Sequence, residues 1–146
     1  MKQLDGVATL RVRYPETDQM GVVHHSHYLN WFEVGRTELM REAGCSYAGM
    51  ESEGIWMPVI EASCRYASPA RYDEVIRVRT RLTEVTRVTA RFEYRVERES
   101  DGKLLATGST RHASIDRAGV PCRMPPRLLE LAADLGLGSA PDPKDG

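Results

Sequence analysis

The chain has 146 residues, 41% of them hydrophobic and 28% charged, and its formal net charge is −1. This length predicts one domain, and the near-neutral charge argues against a nucleic-acid partner, because phosphate binding requires a basic surface. No apolar run approaches the roughly 20 residues that span a bilayer, and the sequence does not begin with the apolar stretch of a secretory signal. The three cysteines are odd in number and lack a Cys-x-x-Cys spacing, which favours reduced thiols in a cytoplasmic protein.

The first predicted elements are a strand, a loop and a helix. Residues 7–14 read as a strand that a proline ends, and the loop that follows covers about 15–26. A helix is predicted over about 27–43, with Gly44 as its stop. Its apolar residues cover a wide arc, so we expect it to be enclosed over much of its circumference.

Two residues inside this helix carry further information. Gly35 costs roughly 1 kcal/mol relative to alanine in a helix interior, which indicates close approach of another element. Arg36 projects into the apolar arc, where an unpaired charge is expensive, and Glu33 is its predicted partner.

Strands dominate the rest of the chain. Period-two alternation of apolar and charged residues predicts long antiparallel strands, each with one buried and one wet face, over about 58–66, 76–82, 88–96 and 104–115. Asp101-Gly102 is a hairpin-turn signal, and a short helix is predicted over 127–135. The sheet must curl around the long helix to cover it, which predicts a single α+β domain over 1–137 and a flexible tail over 138–146.

The loop before the long helix combines a carboxylate, Asp18, a turn residue, Gly21, and three histidines, His24, His25 and His27. A helix N-terminus offers unpaired N–H groups and a partial positive charge, which suit a developing oxyanion, and the carboxylate could attack a carbonyl or direct water at it. Two alternatives stay open. Asp18 could cap its own loop turn, and the histidines could bind a metal, although the usual supporting ligand spacing is missing and we expect no metal.

This loop, together with the order of elements, resembles the acyl-CoA thioesterases of the 4-hydroxybenzoyl-CoA thioesterase and YbgC-like family. The matching residues form two blocks, Tyr14-x-x-x-Asp18-x-x-Gly21-x-Val23-x-His25-x-x-Tyr28 with Glu33-x-x-Arg36-Thr37-Glu38, and Tyr66-Ala-Ser-Pro-Ala-Arg71-Tyr-Asp-Glu74. The resemblance implies the hotdog fold, in which a curved antiparallel sheet of about five strands wraps a long central helix.

The resemblance also implies roles for individual residues. Asp18 matches the catalytic carboxylate, a nucleophile or the base for water, and His25 matches the position whose backbone N–H polarises the thioester carbonyl. Substrate-binding positions are then Tyr14 and Gly21 beside Asp18, Arg87 for the CoA phosphate, and three residues that face the site from the other subunit, Met57, Pro58 and Val59. From its position at the end of a strand, Tyr14 could instead pack in the core.

The predicted function is hydrolysis of a short-chain aliphatic or aromatic acyl-CoA, or of an acyl-carrier protein, by a homodimer or a dimer of dimers. Coenzyme A is part of the substrate, and no further cofactor is expected. The alternative is a non-catalytic hotdog module that binds acyl thioesters. Asp18, Gly21 and His25 together favour the enzyme, because a binding module needs no carboxylate beside the carbonyl.

Overall fold

The computed structural model describes residues 4–137, so the predicted flexible tail over 138–146 lies outside the described residues. The described chain forms β1 (Leu4–Arg11), a 3₁₀ turn (Tyr14–Glu16), α1 (His27–Glu42), α2 (Tyr47–Ser52), β2 (Val59–Tyr66), β3 (Val75–Val85), β4 (Thr89–Arg98), β5 (Leu104–Ala113) and α3 (Pro126–Asp134).

The five strands form one antiparallel sheet in the order β1-β3-β4-β5-β2. β1 and β2 are therefore its edges, and the sheet curves around α1. The inward-facing residues of β3 and β4 alternate with charged residues on the outer face, as the period-two pattern predicts. The α+β class and the arrangement that the resemblance implies are both confirmed.

The core lies between α1 and the concave face of the sheet. Phe32 of α1 stacks on Tyr94 of β4 with ring centroids 4.3 Å apart. Gly35 permits a close approach of α1 to β3, because a Cβ at that position would lie 2.8 Å from Val78 Cγ1 and would also collide with the Thr80 hydroxyl. The expectation of a close approach at Gly35 is confirmed.

The structure corrects two local expectations and adds one helix. β1 ends at Arg11, not at residue 14, because Val12 leaves the ladder and exchanges backbone hydrogen bonds with the turn at 73–74. α2 was not predicted, although the side chain of Ser46 caps it by accepting a hydrogen bond from the Gly49 N–H at 3.1 Å. The Glu33–Arg36 partnership is wrong, since the ion pairs of residues 4–137 do not include it.

Candidate active site

Glu16 attaches the site loop to helix α1. It is 4% exposed, and its Oε2 accepts a hydrogen bond from the Trp31 indole at 3.0 Å. Its Oε1 accepts from the backbone N–H of Arg13 at 2.8 Å, and its carbonyl accepts from the N–H of His24 at 2.9 Å. Buried carboxylates need such partners, and the side chain and carbonyl of this one residue together hold both arms of the loop against the helix.

Asp18 lies in a turn of this loop. Its Oδ1 accepts hydrogen bonds from the N–H groups of Met20 at 2.8 Å and Val22 at 3.4 Å. Gly21 adopts φ +78°, which favours glycine, and its N–H donates to the Asp18 carbonyl at 3.0 Å. The turn-capping alternative is therefore confirmed for Oδ1. The other carboxylate oxygen accepts no hydrogen bond from the residues that the structure describes, so it stays available to a ligand.

His25 lies just before α1. Its carbonyl accepts hydrogen bonds from the Tyr28 N–H at 3.3 Å and from the Tyr66 hydroxyl at 3.1 Å. Within residues 4–137, its own N–H donates to no protein acceptor. A free N–H at the start of a helix is a ready donor for an anion. The His25 imidazole is exposed and lies against that of His24, with ring centroids 4.1 Å apart.

Asp18 and His25 line the same cavity, which has a volume of about 340 Å³. Its other lining residues are Met20, Val22, Val23, Tyr28, Tyr66, Ala67, Ser68 and Pro69. Burial, with a smaller contribution from the neighbouring Cys64, raises the pKa of Tyr66 to about 12, so its hydroxyl remains a proton donor. The structure thus brings a carboxylate with a free oxygen and a backbone donor to one cavity.

A second group of predicted residues lies at the opposite end of the sheet. β2 runs from Val59 to Tyr66, and its eight residues separate the two ends by roughly 23 Å. Arg87 lies in the β3–β4 turn at the Val59 end, where the Ala113 N–H at the end of β5 donates to the Pro58 carbonyl. Within one chain, the fold therefore does not bring Met57, Pro58, Val59 or Arg87 to the Asp18 cavity.

Tyr14 is also outside this cavity. Its side chain is 73% exposed, and its ring packs edge-on against Tyr72 with centroids 5.6 Å apart. The alternative of Tyr14 as a core residue is wrong, because Tyr14 lies exposed in the 3₁₀ turn that begins after β1 has ended.

A second turn with the same geometry occurs at Asp116. Its Oδ1 accepts from the N–H groups of Ala118 at 2.9 Å and Val120 at 3.0 Å, and Gly119 has φ +78°. This turn lines a different cavity, with Gly54 and Arg117 among its neighbours. The turn itself therefore marks no site, and what distinguishes Asp18 is the cavity shared with the free N–H of His25.

Sequence reasoning assigned no role to two residues that shape the site, Glu16 and Tyr66. Glu16 stands three residues after Arg13, a spacing typical of a side chain that caps the start of a helical turn. Tyr66 opens the second matching block, but nothing local to it indicates a hydrogen bond to a residue 41 positions earlier.

No group of three or more His, Cys, Asp or Glu side chains in residues 4–137 is arranged to hold a metal ion. The ring centroids of His24 and His27 are 6.4 Å apart. In the same part of the chain, no helix has both the length and the apolar character needed to cross a membrane.

Known proteins resemble this chain over most of its length. A family model described as the thioesterase-like superfamily matches residues 12–131. The acyl-CoA thioester hydrolase YbgC of Escherichia coli is 29% identical over 120 residues, which cover 82% of this chain and 86% of that protein. A solved DHNA-CoA thioesterase from Staphylococcus aureus is 32% identical with a TM-score of 0.86, covering 90% of this chain and 91% of the other. A hypothetical protein from Thermus thermophilus, TT1821, is 42% identical with a TM-score of 0.82, covering 90% and 97%.

A curved antiparallel sheet wrapped around one long helix, shared with solved thioesterases, defines a hotdog-fold thioester hydrolase. The chain belongs to the thioesterase-like superfamily, whose model matches far more than half of its residues. The resemblance to the 4-hydroxybenzoyl-CoA thioesterase and YbgC-like family is thereby confirmed.

Proposed function

We propose that this protein is an acyl-CoA thioesterase in which Asp18 provides the carboxylate and the N–H of His25 stabilises the oxyanion. The observation that supports this most directly is the shared cavity, where Asp18 keeps one oxygen free and the His25 N–H has no partner among residues 4–137. The thioesterase names of the relatives support acyl-CoA as the substrate class.

The chemistry needs both groups. Asp18 accepts a proton from water as the water oxygen bonds to the thioester carbon, or it attacks that carbon itself and water then hydrolyses the resulting anhydride. In either route the C–S bond breaks, its electron pair leaves with the thiolate, and the thiolate takes up a proton. Negative charge develops on the carbonyl oxygen, where one well-placed backbone donor contributes roughly 10²–10³ in rate. The dipole of α1 favours the same charge.

The proposal includes a homodimer, alone or as a dimer of dimers. β2 is an edge strand that pairs only with β5 among the described strands, and nearly all its residues are exposed. Such an edge presents unpaired N–H and C=O groups. Antiparallel pairing of two β2 strands about a two-fold axis would bring the Met57–Val59 end of one chain to the Tyr66 end of the other. The substrate-binding group that includes Arg87 would then complete the partner's Asp18 cavity.

The test is thiol release from a panel of short-chain, long-chain and aromatic acyl-CoAs and from an acyl-carrier protein. Asp18→Asn keeps an acceptor oxygen for the turn but removes the carboxylate, and Asp116→Asn makes the same change in the matched turn. We expect Asp18→Asn to lose at least a hundredfold in kcat and Asp116→Asn to stay within twofold of wild type. Equal rates for wild type and Asp18→Asn would remove Asp18 from the mechanism. Absence of turnover on every substrate would favour the binding module.

The shared site has a separate test. Asp18→Asn and Arg87→Glu chains, each of low activity alone, are unfolded together and refolded as mixed dimers. One site of a mixed dimer then carries both changes and the other carries neither, so random mixing should restore about a quarter of wild-type activity. Activity no higher than the average of the two variants would show that each chain completes its own site.

A further inference from the structure

A cavity of about 550 Å³ lies between α1, α2 and the start of β2, away from the Asp18 cavity of the same chain. Its apolar wall is formed by Trp56, Met57, Pro58 and Ile115. Glu33 and Glu51 line it as exposed residues. Two further polar residues that line it, Arg36 and Tyr47, are far more enclosed.

Arg36 brings an uncompensated charge to this cavity. It is 9% exposed, and no carboxylate among residues 4–137 lies within ion-pair distance of its guanidinium. The neighbours on which its charge acts are neutral: the hydroxyls of Tyr47 and Tyr94, which accept hydrogen bonds from it, and the imidazole of His112. An enclosed guanidinium with no counter-charge is costly unless an anion joins it.

Tyr47 supplies a second donor beside Arg36. Its buried hydroxyl lies next to the Arg36 guanidinium, which can only donate a hydrogen bond, so the hydroxyl proton has no acceptor in the described part of the chain. Burial raises the pKa of Tyr47 far above its ordinary value, and the nearby Arg36 charge offsets only part of that, so the hydroxyl stays protonated. A buried hydroxyl proton without an acceptor is uncommon, because the desolvation of the group is then not fully offset.

We propose that this cavity binds the far end of the acyl group and that this end is a carboxylate, held by Arg36 and Tyr47. This inference rests on the proposed function, because β2 pairing would bring the Met57 and Pro58 wall of one chain to the partner's Asp18 cavity. The acyl chain would then run along the apolar wall towards the two donors. The substrate class is the monothioester of a dicarboxylic acid.

Charge on the rim does not oppose this assignment. Glu33 and Glu51 are exposed, so water and salt screen them, and the effect of the Glu33 charge on Tyr47 is smaller than that of Arg36. The enclosed Arg36 acts through a medium of lower dielectric constant, where a charge-assisted hydrogen bond to a carboxylate is strongest. A methyl-ended acyl group would leave the Arg36 charge without a counter-charge and the Tyr47 hydroxyl proton without an acceptor.

The test compares kcat/KM for three six-carbon thioesters, adipyl-CoA, 6-hydroxyhexanoyl-CoA and hexanoyl-CoA. We expect wild type to prefer adipyl-CoA over hexanoyl-CoA by roughly ten- to a hundredfold. Arg36→Gln should abolish this preference, and Tyr47→Phe, which removes only the hydroxyl, should reduce it several-fold. Arg41→Gln, which changes an exposed arginine on the same helix, should leave it intact. A preference for hexanoyl-CoA or for the hydroxyl compound, or a preference unchanged in Tyr47→Phe, would overturn the proposal.

Binding to the Asp18→Asn variant separates this inference from the proposed function. Calorimetry with adipyl-CoA and hexanoyl-CoA reports the preference without turnover. If Asp18→Asn hydrolyses thioesters as fast as wild type but binds adipyl-CoA more tightly in an Arg36-dependent way, the proposed mechanism fails and the carboxylate site stands. If hydrolysis depends on Asp18 and the two ligands bind equally, only the carboxylate site fails.

Discussion

The stability of this protein should depend on pH through the buried histidine His112. It is fully buried, with Nδ1 3.1 Å from the Met57 carbonyl and Nε2 2.9 Å from the Thr110 hydroxyl. A carbonyl only accepts, so Nδ1 carries the proton and Nε2 accepts from Thr110. Burial, and then the positive charge of Arg36, lower the pKa of His112 from 6.5 to about 4.

The sign of the effect follows from this shift. In the unfolded chain, His112 binds a proton with its ordinary pKa of 6.5, whereas in the folded protein it binds one only near pH 4. Between these values the unfolded chain binds more protons, so acid favours unfolding. Stability is fully present above pH 6.5 and is lost as the pH falls towards 4. For this shift, the loss in the free energy of unfolding is about 2 kcal/mol by pH 5 and about 3 kcal/mol by pH 4.

The assay is urea unfolding at constant protein concentration between pH 7.5 and 5, on wild type and His112→Gln. Constant concentration removes any contribution from assembly. Glu97 accepts hydrogen bonds from Arg79 and Arg95, which lower its pKa from 4.5. The stability that this carboxylate contributes is therefore lost mainly below pH 5, outside the range of the assay. We expect wild type to lose about 2 kcal/mol and the variant to show a nearly flat profile. Equal slopes in the two proteins, or a flat wild-type profile, would refute the reasoning.

Three further substitutions test the fold and the site. Gly35→Ala forces a methyl group into β3 side chains and should cost about 1–3 kcal/mol in thermal unfolding; an unchanged Tm would contradict the close packing. Glu16→Gln should cost about 1–2 kcal/mol by weakening the bond to Trp31 and should lower kcat as the loop loosens, whereas loss of neither would show the bond to be dispensable. Tyr66→Phe removes the hydroxyl that donates to the His25 carbonyl, so kcat should fall several-fold with little change in KM; the reverse pattern would make Tyr66 a binding group.

The fold follows from local patterns to a large extent. β3 and β4 alternate buried and exposed residues so regularly that their faces are predictable, and the wide apolar arc of α1 requires a sheet around it. Two features do not follow from local patterns. The end of β1 depends on a tertiary contact, because Val12 bonds to the 73–74 turn. The helix α2 is too short, at six residues, to show helical periodicity.

The Asp18 cavity was predictable in part because its polar groups lie within one short stretch of sequence. The surroundings of Arg36 were not, because helix spacing favoured Glu33, whereas the fold directs the guanidinium towards tyrosines of α2 and β4. Helical neighbours at this spacing contribute only a few tenths of a kcal/mol, so the tertiary contacts decide where a long side chain goes.

The turns at Asp18 and Asp116 have the same conformation but different surroundings, so comparing them shows what the turn itself contributes to the site. Asp18 and Asp116 use the same hydrogen bonds, with a glycine at φ +78° in each, so the turn contributes no more to reactivity at one site than at the other. The turn at Asp18 differs in its surroundings, because Glu16 fixes its loop beside the first turn of α1 and Tyr66 holds the His25 carbonyl. The same turn is therefore a candidate catalytic element only at Asp18, where the buried carboxylate of Glu16 anchors it beside the free N–H of His25.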